Sequence, residues 1–265
     1  MDLQIADFAF MCRSKIIRPL NESDIPQLMP IDLKLSKRRK RALLLLHGFA
    51  SSPAVYRAML PHFQGYDRIV CPVLPGHGQS IHAFAQCTAQ DWRASAFEHC
   101  AQLVDAYSEV SVLGFSIGGV LGLELSHAFP LHHLYLLAPA LKLYYSLTLA
   151  QLAARTLISL GCHRLVNHAG DFYTDRYQEL TYHHLPIPAI VEVLKLIQSQ
   201  TYQPPGCATD LFLGRHDKVV HSRIVAQHYA RHPQVQIHWL QHSAHMLPLD
   251  GDIELLLQHV NRAAL

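Results

Sequence analysis

Short apolar runs alternate with stretches of helical periodicity along most of the chain. The run at residues 42–46 is continuous and apolar, which is typical of a strand that helices bury on both faces. Because strands and helices alternate, the pattern predicts an α/β fold with a mostly parallel central sheet and helices on both faces. Similar runs predict further strands at residues 68–71, 110–113, 134–138, 210–213 and 235–240.

Capping and helix-breaking residues mark the predicted helices. Pro53 opens one of them with Ser52 as its cap. Thr88 and Asp91 resemble a capping box that introduces a second helix, and Pro130 ends a third. The second and third helices are predicted at residues 92–107 and 119–129, and two more near residues 222–231 and 253–263.

The alternation of strands and helices breaks in the middle of the chain. Helical stretches at residues 149–160 and 190–197 follow one another there with no convincing strand, which indicates a helical cap inserted into the core. The first 41 residues have weak periodicity and are expected to form one or two edge strands. The predicted organisation is an N-terminal segment at residues 1–41, a core at 42–138 and 206–265, and a cap at 139–205.

Composition and charge restrict the classes of function. Half of the 265 residues are apolar and 16% are charged, which fits a large buried core rather than a disordered chain. The formal net charge of +2 gives no reason to expect a nucleic-acid partner. The basic run at residues 34–41 is interpreted as a solvated turn before a buried strand, with a membrane surface or a nuclear address as the open alternatives.

Cysteine and histidine usage adds little specific chemistry. The six cysteines are scattered without a C-x-x-C pair, as expected of buried thiols in a reducing compartment. There is no signal-peptide pattern and no apolar run of ~18 residues, so the cytoplasm is the expected location and no transmembrane segment is expected. None of the 20 histidines falls into a spacing that places metal ligands on one helical face, so neither a metal nor an organic cofactor is expected.

Ser116 lies in the strongest local motif, a G-x-S-x-G sequence that directly follows a predicted strand and precedes a predicted helix. The chain must turn sharply at this serine, and Gly114 and Gly118 relieve the crowding of that turn. The turn directs the hydroxyl over the end of the sheet and aims the amide of Ile117 at a developing oxyanion. The motif therefore predicts a nucleophilic serine.

A serine hydroxyl needs a base, and the base needs a third group that orients it. After such a serine, the acid and then the histidine are expected on later loops that follow strands. Asp217 fits as the acid, whereas Asp210 precedes its strand and lies at the wrong end of a parallel sheet. His245 is favoured as the base over His242, which lies nearer the strand end.

The loop after the first core strand is expected to supply the second oxyanion donor. His47 and Gly48 begin this loop, and the amide of Phe49 is the predicted donor. The His-Gly pair also fits a simple turn that ends the strand. The two roles are compatible because the turn would aim the amide.

Together these residues resemble the α/β-hydrolase superfamily, and within it the group of bacterial carboxylesterases and monoacylglycerol lipases. The resemblance implies an α/β-hydrolase fold with a helical cap between the sixth and seventh strands, and hydrolysis of carboxylic esters without a cofactor. It also supports the triad of Ser116, Asp217 and His245. One departure is Ala244, where the group often has glycine before the histidine. The matching segments are residues 46–49, 74–78, 113–119, 214–217 and 243–245, with Asp250 downstream.

The predicted function is hydrolysis of a small-molecule carboxylic ester through an acyl-enzyme at Ser116. The excess of apolar residues at the start of the cap favours an apolar acyl or alcohol group, although some of them must pack the cap onto the core. A thioesterase or an acyltransferase would use the same triad. A ligand-binding protein on the same scaffold is the alternative from a different class, because fold does not dictate function.

Overall fold

A computed structural model describes residues 3–200 and 202–263 of the chain. Residues 1, 2, 201, 264 and 265, which belong to the predicted N-terminal segment, cap and core, lie outside the described residues. The strands are β1 (Phe8–Cys12), β2 (Lys15–Pro19), β3 (Ile31–Lys34), β4 (Arg41–Leu46), β5 (Arg68–Cys71), β6 (Glu109–Phe115), β7 (His133–Leu137), β8 (Arg164–Val166), β9 (Glu179–Tyr182), β10 (His184–Pro186), β11 (Thr209–Gly214) and β12 (Val235–Leu240). The α-helices are α1 (Ile81–Gln86), α2 (Ala89–Ala106), α3 (Ile117–Ala128), α4 (Leu147–Ser159), α5 (Ile187–Gln198), α6 (Ser222–Tyr229) and α7 (Ile253–Ala263).

The centre of the fold is a seven-stranded sheet in the order β12-β11-β7-β6-β4-β5-β3. Its strands pair in parallel except at one edge, where β3 runs antiparallel to β5. The prediction of a mostly parallel sheet is confirmed. The six strands predicted for the core all form, each with bounds within two residues of those predicted.

Strand β4 shows why an uninterrupted apolar run marks a strand at the centre of the sheet. Leu44 and Leu46 pack into one hydrophobic cluster with residues of α2, α3 and α5. Leu43 and Leu45 point the other way, into a second cluster that includes residues of α7. All four side chains are fully buried, because successive residues of a strand face opposite sides of the sheet. Helices therefore cover both faces, as predicted.

The helix predicted to open at Pro53 is wrong in type. Two 3₁₀ turns, Pro53–Tyr56 and Leu60–His62, replace it. Pro61 lacks the backbone N–H that an α-helix needs at this position, which explains the interruption. The predicted cap is correct, since the Ser52 hydroxyl accepts a hydrogen bond from the amide of Ala54 at 3.3 Å.

The insertion between β7 and β11 departs from the prediction in two respects. It contains the predicted helices as α4 and α5, but it also contains β8, β9 and β10. These strands are three or four residues long, and each pairs outside the central sheet, so no core-type apolar run marks them. The resemblance also implied an insertion between the sixth and seventh strands. Along the chain, the insertion instead follows the fifth strand of the seven-stranded central sheet and precedes the sixth.

The N-terminal segment forms more strands than predicted. Strand β3 is an edge strand of the central sheet, as expected. Strands β1 and β2 instead join β9 in a separate three-stranded antiparallel sheet, in which β1 is central. The N-terminal segment therefore pairs directly with the insertion. None of the helices described here is long and apolar enough to cross a membrane.

Candidate active site

Ser116 occupies the sharp turn between β6 and α3. Its φ is 55° and its ψ is −114°, a backbone conformation that side chains disfavour and that is found at functional turns. A Cβ atom at Gly118 would lie 2.0 Å from the carbonyl oxygen of Leu46, and one at Gly114 would lie 2.2 Å from the carbonyl oxygen of Gly118. Both positions of the motif therefore require glycine for close packing of the backbone.

The structure brings together Ser116, His245 and Asp217, which are far apart in sequence. His245 Nε2 lies 3.1 Å from Ser116 Oγ, and His245 Nδ1 lies 3.0 Å from Asp217 Oδ2. The other carboxylate oxygen of Asp217 accepts hydrogen bonds from the amides of Val219 and Val220, both at 2.8 Å. The carboxylate is thus held in one orientation, and all three side chains lie on loops at the carboxyl ends of strands.

The electrostatics of His245 suit a general base. Burial disfavours the charged imidazolium, but the adjacent Asp217 carboxylate, together with Asp171 and Glu179, more than offsets this effect and raises the pKa of His245 above its ordinary value. With Nδ1–H donating to Asp217, Nε2 is left to accept the proton of the Ser116 hydroxyl. The carboxylate therefore sets both the tautomer and the basicity of the imidazole.

The competing candidates lie apart from this arrangement. His242 is exposed, and its Nδ1 lies 3.3 Å from Asp252 Oδ1. Asp210 contacts His133 and His238, with no contact to the three residues around Ser116. The structure thus places Asp217 and His245 beside the serine, whereas Asp210 and His242 lie elsewhere.

Two further aspartates position the His245 loop. Asp250 accepts a hydrogen bond from the amide of Ala244 at 2.8 Å, so alanine at this position is accommodated within a bonded loop. Asp171, in the insertion, accepts hydrogen bonds from the amides of Lys218 and His245, at 2.9 and 3.3 Å. Asp171 therefore joins the loop of Asp217 to the loop of His245. No motif marks it, because its role depends on the fold of the insertion.

His47 orders the loop that carries Phe49. Its Nδ1 lies 2.9 Å from the carbonyl oxygen of Gly48, and its Nε2 accepts a hydrogen bond from the amide of Leu74 at 3.0 Å. Burial lowers the pKa of His47 to about 4, so the ring is neutral at pH 7 and can donate at Nδ1 while accepting at Nε2. The buried imidazole thus fixes the turn before Phe49.

The amides of Phe49 and Ile117 are the candidate oxyanion donors. Within residues 3–200 and 202–263, neither amide has a hydrogen-bond acceptor on the protein. Ile117 is the first residue of α3, where the amide has no intrahelical partner and the helix dipole favours negative charge. Both residues line the cavity at Ser116, so these two N–H groups are free to bind a ligand oxygen.

Two cavities of different character meet at Ser116. One has a volume of about 440 Å³ and is lined almost entirely by apolar side chains of α4, α5 and neighbouring segments, among them Leu157 and Leu194. The other has a volume of about 190 Å³ and a mixed lining, in which polar residues such as Asp171 and Glu179 lie beside apolar ones such as Phe115 and Met246. The site thus offers an apolar space and a smaller space of mixed character, which meet at one hydroxyl.

Glu179 is a residue of this site that the sequence did not reveal. It is 6% exposed, and its Oε2 accepts a hydrogen bond from the amide of Gly170 at 2.8 Å. Burial raises the pKa of Glu179 to about 7, although this hydrogen bond and the nearby His245 oppose the increase. Glu179 lies beside the candidate serine, and a carboxyl group with a pKa near neutrality is characteristic of functional sites.

The fold and the site together define the class of protein. The model of the alpha/beta hydrolase family matches residues 43–255, and the chain therefore belongs to that family. The match includes Ser116, Asp217 and His245 and the loop that carries Phe49.

The chain is similar to particular members of known sequence and structure. The chain is 25% identical over 223 residues to a thermostable monoacylglycerol lipase of Bacillus sp. (strain H-257). This alignment covers 82% of the chain and 87% of the relative. It is 30% identical over 94 residues to a carboxylesterase of Bacillus subtilis (strain 168), over 34% of this chain and 38% of that protein. A solved structure of a metagenome-derived lipolytic enzyme superposes with a TM-score of 0.80 at 24% identity, over 90% of this chain and 98% of the other.

Proposed function

We propose that this protein is a serine hydrolase of carboxylic esters that have an apolar acyl chain and a small polar alcohol. The observation that carries the proposal is the continuous hydrogen-bonded arrangement from Ser116 through His245 to Asp217, placed where two cavities meet. A nucleophile, a base and an orienting acid in this geometry are the constellation of acyl transfer through serine.

The reaction proceeds in two steps. His245 Nε2 takes the proton of Ser116 Oγ while the oxygen attacks the ester carbonyl, and the amides of Phe49 and Ile117 stabilise the negative charge on the carbonyl oxygen. The imidazolium then returns its proton to the alcohol, which leaves, and an acyl-enzyme remains on Ser116. Water repeats the sequence with the same base and releases the carboxylic acid.

The two cavities support this class of ester. The larger cavity offers aliphatic side chains with little polar surface, which suits an acyl chain. The smaller cavity also has polar residues in its lining, among them Glu179 and His168, which suit an alcohol with further hydroxyl groups. The monoacylglycerol lipase among the relatives has a substrate of this form in its name, which supports glycerol as the alcohol.

The proposal is tested with p-nitrophenyl esters from acetate to palmitate, using the wild type and the Ser116→Ala variant. Turnover should vanish in the variant, and a fluorophosphonate should label the wild type but not the variant. Ser95→Ala on α2 is the matched control, because this serine lies outside the site and should retain both turnover and labelling. A folded wild type that neither turns over any ester nor reacts with the fluorophosphonate would sink the hydrolase proposal in favour of a binding protein.

The alcohol side is tested with 1-monoacylglycerols against methyl esters of the same acids. Wild-type kcat/KM should be higher for the monoacylglycerol, and Glu179→Gln should reduce that preference while leaving the methyl ester less affected. Acyl thioesters serve as the comparison for a thioesterase. A preference for thioesters over both oxygen esters would contradict the proposed substrate class while retaining the serine mechanism.

A further inference from the structure

A compact group of one aspartate and three histidines lies at the amino ends of β7 and β11 and beside the middle of the adjacent strand β12. His133 begins β7, Asp210 lies at the start of β11, His238 lies on β12, and His259 faces them from α7. Asp210 Oδ1 lies 2.6 Å from His238 Nε2, and Asp210 Oδ2 lies 2.9 Å from His133 Nε2. The rings of His238 and His259 stand 4.0 Å apart between centroids. We call these four residues the Asp210 cluster.

The Asp210 cluster has the chemistry and the proximity of a metal-binding set. Ligand atoms of Asp210, His238 and His259 all lie within 4.8 Å of one another. Imidazole nitrogen and carboxylate oxygen are the usual ligands of zinc after cysteine, with bond lengths of about 2.0–2.2 Å. His133 holds the second oxygen of Asp210 and so restricts its rotation, as outer hydrogen bonds do for ligating carboxylates.

The surroundings are rigid and only partly open to solvent. Asp210 is 6% exposed, and the three histidines are partly buried. All the backbone segments involved are paired strands or a packed helix, since β11 lies between β7 and β12 and α7 packs over them through Leu256 and Val260. Zinc ligands about 2.1 Å from the ion lie roughly 3.4 Å apart in a tetrahedron. The contact of 2.6 Å between Asp210 and His238 would therefore open by about 0.8 Å, which a small side-chain rotation supplies.

We propose that the Asp210 cluster binds a divalent transition-metal ion of the zinc class, with Asp210, His238 and His259 as ligands. The site lies toward the opposite end of the sheet from Ser116, because Asp210 is the second residue of β11, whereas Asp217 follows the last residue of that strand. Its role is structural: the ion joins α7 to the edge of the sheet formed by β11 and β12. Hydrolysis at Ser116 involves no group of this site, so the proposal is independent of the proposed function.

Binding is measured with the full chain, without a polyhistidine tag, after treatment with EDTA and dialysis. Zn²⁺ is titrated by calorimetry, Co²⁺ is followed by its visible absorption, and the melting temperature is recorded with and without each ion. We expect one ion per chain, a rise in melting temperature, and a Co²⁺ spectrum of four- or five-coordinate geometry. Ligand binding to the folded state alone stabilises it in proportion to the logarithm of ion concentration over Kd.

Two variants and a matched control locate the site. His259→Ala and Asp210→Asn should each weaken binding at least tenfold and abolish the rise in melting temperature. His228→Ala removes an exposed histidine that stacks on Tyr202 in another region, and it should bind as the wild type does. Equal stoichiometry and affinity in His259→Ala and the wild type would show that the ion binds elsewhere. If no ion raises the melting temperature, the four residues form a hydrogen-bonded cluster without a metal. Either of these two results would overturn the proposal. Esterase activity at 25 °C should survive EDTA in every form.

Discussion

Replacement of Glu179 by glutamine should remove a pH-dependent loss of stability from the protein. The pKa of Glu179 is raised to about 7 in the folded chain by burial, whereas an unfolded glutamate titrates at about 4.3. The folded state therefore holds a proton that the unfolded state releases, so this group destabilises the fold as pH rises from about 4.3 to about 7. At 1.36 kcal/mol per pKa unit, the difference between about 7 and about 4.3 gives a full penalty of about 4 kcal/mol, of which about 2–3 kcal/mol develops between pH 5 and pH 8.

Glutamine keeps an oxygen that can accept from the Gly170 amide but has no proton to lose. Denaturant unfolding at pH 5, 6, 7 and 8 should therefore show the stability of Glu179→Gln rising relative to wild type by about 2–3 kcal/mol across the series. Glu98→Gln, at an exposed position on α2, is the control and should keep a constant offset from wild type. Curves for Glu179→Gln and wild type that stay parallel in pH would refute the reasoning, because they would mean that the carboxyl group titrates alike in both states.

Three further predictions follow from the site. Asp217→Asn should reduce kcat by about 10³–10⁴-fold. On the acid side of a pH–rate profile, the residual activity should fall to half its maximum at a lower pH than in the wild type, because the carboxylate that raises the pKa of His245 is gone. Leu157→Trp should fill part of the apolar cavity and move the optimum of the p-nitrophenyl ester series to shorter acyl chains, and an unchanged optimum would place the acyl chain elsewhere. Gly118→Ala should prevent folding or reduce the free energy of unfolding by more than about 3 kcal/mol, because its Cβ would lie 2.0 Å from a backbone carbonyl oxygen of β4. The control is Gly122→Ala in the same helix, whose Cβ would meet only side-chain methyl groups at 3.2 Å or more. In denaturant unfolding it should change stability by less than about 1 kcal/mol.

The core of the fold was predictable because its signals are local. Each central strand is buried on both faces and so appears as an apolar run, and the turn at Ser116 requires glycines that are visible in the sequence. The three residues of the proposed triad were predicted from chain order, loop position and, for His245, the resemblance to the α/β hydrolases. These features depend on the backbone geometry of short segments, which sequence patterns report directly.

The insertion was harder to predict because its structure depends on partners distant in sequence. Strand β9 exists through pairing with β1, about 170 residues earlier, and all four of its residues are buried, although polar and apolar types alternate in this short run. Glu179 and Thr181 therefore gave no signal as site residues. The Asp210 cluster was missed for the same reason, since its four members come from four separate elements and the fold alone brings them together.

The insertion divides the recognition of the proposed substrate between its two kinds of secondary structure. Helices α4 and α5 line the apolar cavity, whereas residues 167–171 and β9 supply the polar groups of the smaller cavity. Strand β9 also reaches the candidate oxyanion loop, because the Thr181 hydroxyl donates to the carbonyl oxygen of Ala50 at 2.8 Å, one residue after Phe49. Strand β9 also pairs with β1, so the smaller cavity is lined by a paired strand. Recognition of the alcohol and placement of the oxyanion donor are therefore linked through four residues of one strand. We infer that changes in β9 affect both KM and kcat, whereas changes in α4 affect acyl-chain preference alone.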